Sequence, residues 1–130
     1  MSAFKYRPGI GAVGSYQVSG LPYITGSTSL AAGAEEKVEF TRVAKTVLVI
    51  NDSSEDIRVH FNATGSGNVV GGKHYVTLTS NRDSIEMGIR CKEIYISNPG
   101  ASSASYTVFA ELTGIETREM NALTGSGLTE

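Results

Sequence analysis

Between Glu35 and Leu112 the apolar residues return at every second position, run after run. In EKVEFTRV, Val38 and Phe40 fall on one face and Lys37, Glu39 and Thr41 on the other. DIRVHFN places Ile57, Val59 and Phe61 inward and Arg58, His60 and Asn62 outward. KHYVTLTS sets Val76 and Leu78 against Thr77 and Thr79. SIEMGIR aligns Ile85, Met87 and Ile89; KEIYISN aligns Ile94 and Ile96; ASYTVFAEL aligns Tyr106, Val108, Ala110 and Leu112. A period of two is the mark of a strand with one covered face, because successive side chains point to opposite sides. KTVLVIN is nearly continuous in apolar residues and reads as a strand covered on both sides.

Turn signals separate the runs: NDSSED, NATGSGN, VVGGK, SNRDS and SNPGASSA. About seven short strands, closed by turns roughly every 8–12 residues, predict an all-β protein with a single β-sandwich or jelly-roll-like domain. That domain is expected over residues 35–115. At 130 residues the chain has room for one domain, and its 18% charged residues and 15 glycines suit many turns better than helices. IETREMNAL alone has helical character, and residues 116–130 read as a C-terminal tail ending in the flexible TGSGLTE.

Residues 1–34 differ from the rest. They hold Pro8 and Pro22, many glycines and short apolar pieces without helical period, and predict an extended N-terminal arm that builds little core alone. Phe4, Tyr6, Arg7, Tyr16 and Tyr23 are spread along it and are the expected partner-binding residues, aromatics being the usual interface anchors.

The arm also contains Gly9-Ile10-Gly11-Ala12-Val13-Gly14, a G-x-G-x-x-G spacing. That fingerprint works only between a buried strand and the helix it opens, where backbone N–H groups face a pyrophosphate. MSAFKYR before it is too short and polar, and SYQVSG after it is strand-like. The glycines are therefore expected to serve an extended segment. TGSGNVVGGKH invites a phosphate cradle through Lys73, but it lacks the G-K-[ST] ending and a following helix, and reads as a hairpin loop.

No catalytic or metal-ligating constellation is legible. His60 and His74 share no ligand spacing, and His60 is expected to be solvated or at an interface. No G-x-S-x-G elbow is present. Cys91 lies between Arg90 and Lys92, which favour a reactive thiolate, yet a half-buried strand residue is the expectation. Asp52, Glu55 and Asp56 lack the ordered spacing of a cation loop. The sequons at Asn51 and Asn62 read as turn chemistry, because no signal peptide is expected from an N-terminal stretch without an apolar core. Net charge is −2 without runs of one sign, so neither nucleic acid nor a membrane surface is an expected partner. No cofactor and no enzymatic activity are expected.

The stretches RPGIGAVGSYQVSGLPYITGS, EEKVEFTRVAKTVLVIN and IRCKEIYISNPGASSASYTVFAELTGI resemble small virion proteins of tailed bacteriophages, most of all capsid decoration (cement) proteins. The resemblance implies a non-enzymatic structural protein made in the host cytoplasm and located in the virion. It implies a homo-oligomer that stabilises the capsid by binding the major capsid protein or other virion proteins through strand edges and arms. A neck, collar or tail-surface component is the alternative, and a carbohydrate- or ligand-binding β-sandwich is a second one.

Overall fold

One strand, far longer than the rest, organises the molecule. In the computed structural model, which describes residues 20–63, 74–80, 82–121, 123 and 128, β2 runs unbroken over Glu35–Asn51. The other strands are β1 (Leu21–Leu30), β3 (Ile57–His60), β4 (Val76–Leu78), β5 (Ser84–Met87), β6 (Cys91–Ser97) and β7 (Ala104–Leu112). All pairings are antiparallel, in the order β1-β7-β2-β6-β3-β4, with β5 on β2.

β2 serves two layers. Its first half pairs with β6, from Glu35 opposite Ser97 to Glu39 opposite Glu93. Its second half lies between β7 and β5, with Val49 opposite both Val108 and Ile85. The β6 register breaks between Glu39 and Ala44. Such a break bends a strand and lets it pass from one sheet to the other at a sandwich corner. Layer one is thus β1-β7-β2-β5 and layer two is β2-β6-β3-β4. Val47, Val49, Val108, Ala110 and Leu112 from the first share one buried cluster with Val38, Ile57, Val59, Ile94 and Ile96 from the second. The chain is an all-β sandwich, as the period of two predicts.

Two buried asparagines close the ends of β2. Asn98 donates to the carbonyls of Leu30 and Ser102 at 3.0 and 2.7 Å and accepts from Gly100 N at 2.9 Å. Beside it, residues 31–34 turn the chain from layer one to layer two, with Ala34 N donating to Ala31 O at 3.0 Å. Gly33 has φ +74° there, the left-handed value that the third residue of a type II turn adopts. At the far end, Asn51 donates to Glu55 O, Leu78 O and Thr79 O at 2.6, 3.1 and 2.9 Å.

In its strands and tail the structure differs from the sequence expectations in four places. Residues 21–30, assigned to the arm, form an edge strand of the domain's own sheet, paired with β7 from Leu21 opposite Leu112 onward. Its uncharged sequence hides in a Gly- and Pro-rich stretch, but Tyr23, Thr25 and Ser27 alternate inward and Leu30 is buried. Part of the expected tail is likewise packed: Met120 joins Val43 and Ile115 in a small second core, and Lys92 Nζ donates to Met120 O at 2.9 Å. Of IETREMNAL, only a 3-10 turn at Thr117–Glu119 is helical. Val76, expected inside, is exposed; β4 is a three-residue strand with only β3 beside it among the described residues.

Candidate functional site

β1 is the outermost strand of layer one among the described residues. It has no charged side chain along its ten residues, LPYITGSTSL, and no Lys or inward charge blunts it. Leu21 and Ile24 are 65% and 69% exposed. Ile24 stands opposite Phe109, which stands opposite Leu48, so an apolar row crosses the outer face of three strands. The strand lies hard against β7. A Cβ on Gly26 would collide with the carbonyl oxygen of Tyr106, so only glycine permits this approach. An unpaired row of backbone donors and acceptors beside exposed apolar side chains is a template for another strand.

Of the expected partner-binding residues, Tyr23 lies on this strand and turns inward. Its ring meets Phe40 edge-on at 5.5 Å and 87°, and its hydroxyl donates to Glu39 O at 3.1 Å. Tyr23 therefore anchors β1 to β2 of its own chain. Phe4, Tyr6, Arg7 and Tyr16 lie outside the described residues, as do the G-x-G-x-x-G segment and Lys73.

Layer two has a polar outer face. Lys37 bridges Glu39 and Glu93, each at 2.8 Å, and these hydrogen bonds raise the lysine's pKa and lower that of Glu39. Next to this group is His60, which the structure buries to 1% exposure, contrary to the expected solvated position. Strand alternation does put it on the polar face, but that face is covered locally, with Asn62 donating to Leu123 O at 3.2 Å. His60 Nδ1 is 2.7 Å from Asn62 O, and its Nε2 meets Ser97 Oγ. Glu35 Oε1 is 3.5 Å from Nε2 and 3.4 Å from Ser97 Oγ. The ring stacks on Tyr95 at 5.9 Å. Burial lowers the histidine's pKa, against the raising effects of the Asn62 carbonyl and of Glu35. No motif announced this cluster, since its members are separated in sequence by up to 62 residues. The signal in sequence was only that Glu35, His60 and Ser97 each occupy an outward strand position.

The other flagged residues are structural. Cys91 is fully buried rather than half-buried, and burial, with Glu93 nearby, pushes its thiol up to about 12. Arg90 and Lys92 thus do not activate it. Asn51 has its amide nitrogen committed to three carbonyls, while its Oδ1 accepts from Ser53 N and Oγ at 3.0 and 2.8 Å. Asp52 accepts from Thr107 at 2.5 Å, and Asp83 accepts from Thr79 and Ser84 across the β4–β5 turn. Among the described residues, no group of three or more His, Cys, Asp and Glu side chains is placed to hold a metal ion. An open cleft of about 490 Å³ lies where β5 gives way to β6, lined by Lys45, Thr46, Gly88, Ile89, Arg90 and Glu111.

Fold and edge together define a two-layered β-module whose outermost described strand in layer one carries no charge. No protein-family model matches the chain, and no curated protein matches it. Among solved structures it is similar to the crystal structure of the Yersinia pseudotuberculosis-derived mitogen, with 11% identity and a TM-score of 0.41 over 85% of this chain and 95% of that one. A likeness at this level carries no argument about function.

Proposed function

We propose that the protein is a structural component of a tailed-bacteriophage virion, a homo-oligomeric decoration protein that binds the major capsid protein through strand-edge and arm contacts. The observation that carries this reading is the outer edge of β1, unpaired among the described residues, ten residues without a charge and with Leu21 and Ile24 exposed. Natural proteins blunt such an edge unless it is to be paired. Strand addition supplies affinity through main-chain hydrogen bonds and specificity through alternate side chains. Residues 1–19 immediately precede Gly20 and this strand in the sequence, and the proposal assigns arm and edge to the same neighbour. The resemblance of three long stretches to phage virion proteins supplies the identity of that neighbour.

The test is co-sedimentation of the purified protein with phage capsids, and separately with isolated tails, each stripped of accessory proteins. Ile24→Lys and a deletion of residues 1–19 are run alongside. Saturable binding to capsids, weakened about tenfold or more by Ile24→Lys, is expected, since a charge at a strand edge opposes pairing. Binding to tails alone replaces the capsid reading with the neck or tail one. Binding to neither overturns the virion reading.

A further inference from the structure

On the layer opposite β1 lies a pair of side chains to which assembly gives no role. Glu35 of β2, Ser97 of β6 and Arg58 of β3 stand abreast in register. His60 follows two residues after Arg58 on the same strand and face, opposite Tyr95. The carbonyl of Asn62 only accepts, so His60 Nδ1, 2.7 Å from it, carries the proton of the neutral ring. Nε2 is then left with its lone pair, and it is this atom that meets Ser97 Oγ. Tyr95, stacked 12° from parallel, fixes the plane of the imidazole. A hydroxyl hydrogen-bonded to an imidazole whose other nitrogen is held by an acceptor is the arrangement of an activated serine, here with a carbonyl where a carboxylate often stands.

Arg58 supplies the third part. Its Nε is buried with no hydrogen-bond partner among the described residues, while its guanidinium carbon is held 4.3 Å from the centre of the Tyr75 ring. Buried donors are nearly always satisfied, and this one belongs to the residue paired with Ser97 across the β3–β6 ladder, where it can take an acceptor. Ser97 itself is half-buried.

We propose that Ser97 is a nucleophile with His60 as its general base and Arg58 Nε–H as the donor that meets an oxyanion, acting on short carboxylic esters. As Oγ forms a bond to the ester carbon, its proton passes to His60 Nε2 and the carbonyl π pair moves onto the oxygen facing Arg58. Collapse breaks the bond to the leaving alcohol, which takes the proton from Nε2 and leaves an acyl-Ser97. Water then repeats the sequence, its proton going to Nε2 and returning to Ser97, and the carboxylic acid is released. Glu35 beside Nε2 steadies the transient imidazolium as a positioning residue. The groups facing the ring are Glu35 from β2, Ser97 and Tyr95 from β6, Arg58 from its own strand, and Asn62. Burial outweighs Glu35, so the ring is neutral and able to accept a proton near neutral pH.

The test uses the folded, full-length protein and an alkyl fluorophosphonate. Attack by Ser97 Oγ forms an O–P bond and breaks P–F, fluoride leaves, and the proton goes to His60. Peptide mass spectrometry is expected to place one phosphonyl group on Ser97 in the wild type and none there in Ser97→Ala. His60→Gln should label about 100-fold more slowly, the usual scale for loss of a general base. Should His60→Gln not fold, the wild type alone decides: labelling must slow as pH falls below neutral. No label on Ser97, an unchanged rate in folded His60→Gln, or a rate that grows with acidity overturns the proposal. Ser97 pairs with Glu35 of β2 and Arg58 of β3, not with β1, so Ser97→Ala is expected to bind capsids as the wild type does, and either reading can fail without the other.

Discussion

Replacing Asn51 by alanine should unfold the protein at a much lower temperature than its small volume change suggests. The side chain makes five hydrogen bonds, three from Nδ2 and two to Oδ1. A typical bond is worth about 1 kcal/mol net, so the simple sum is ~5 kcal/mol. Not all five are lost outright. Glu55 O still accepts from Ser53 Oγ at 3.3 Å, and Ser53 lies near enough to solvent for water to replace its partner. The buried contact to Leu78 O has no such substitute, and an orphaned buried carbonyl costs about 1–3 kcal/mol. The expected loss is about 3 kcal/mol, a large part of the ~5–15 kcal/mol that stabilises a typical domain. At about 2.1 cal/mol/K per residue, 130 residues give an unfolding entropy near 0.27 kcal/mol/K, so the midpoint falls by ~11 °C. Asn51→Asp keeps the two Oδ1 bonds but turns an oxygen toward three carbonyls. It should be worse than alanine at pH 7 and recover on acidification, because its folded pKa is raised and stability is lost as pH rises through it. Differential scanning calorimetry of both variants at pH 5 and pH 7 reads the effect. A loss below about 1 kcal/mol for alanine, or an aspartate insensitive to pH, would refute the claim that the amide closes this end of β2.

Gly26→Ala forces β1 off β7 at the Tyr106 carbonyl and should cost about 1–3 kcal/mol by urea unfolding, as overpacking does; an unchanged midpoint would show that the strand has slack. Cys91, buried and with its thiol raised, should resist maleimide labelling in the native protein at pH 8 and label at once in denaturant. For His60 the folded pKa lies below its ordinary value near 6.5, so the unfolded chain takes up that proton first as pH falls. Stability therefore declines below about pH 6.5 in the wild type, and the difference in midpoint between wild type and His60→Gln should shrink from pH 7 to pH 5. A constant difference would show that the ring titrates alike in both states.

The strands were legible because a half-covered sheet imposes a period of two on its sequence. Val38, Ile57, Val59, Ile94, Ile96, Tyr106, Val108, Ala110 and Leu112 all occupy the buried positions that alternation assigns them. β1 was not legible, because its inward residues Tyr23, Thr25 and Ser27 are scarcely more apolar than its outward ones. Its place in the sheet depends on Gly26 fitting a particular carbonyl eighty residues away in the chain. His60 shows a second limit: alternation gives the face a side chain points to, but whether that face is covered is decided by distant segments such as Leu123. Ser97 and Glu35 meet His60 through register alone, which local sequence does not encode.

β2 has a mechanical consequence. Because the same covalent backbone runs through both layers, a pull that enters at β1 and leaves through β3 or β4 must pass along it. The ladders to β7 and β6 are then loaded in shear, many hydrogen bonds resisting together, instead of being peeled one at a time from an end. Neither layer can slide away from the other without breaking a ladder that ties it to β2. A module held at its β1 edge and strained across its thickness would yield as one body, late and abruptly.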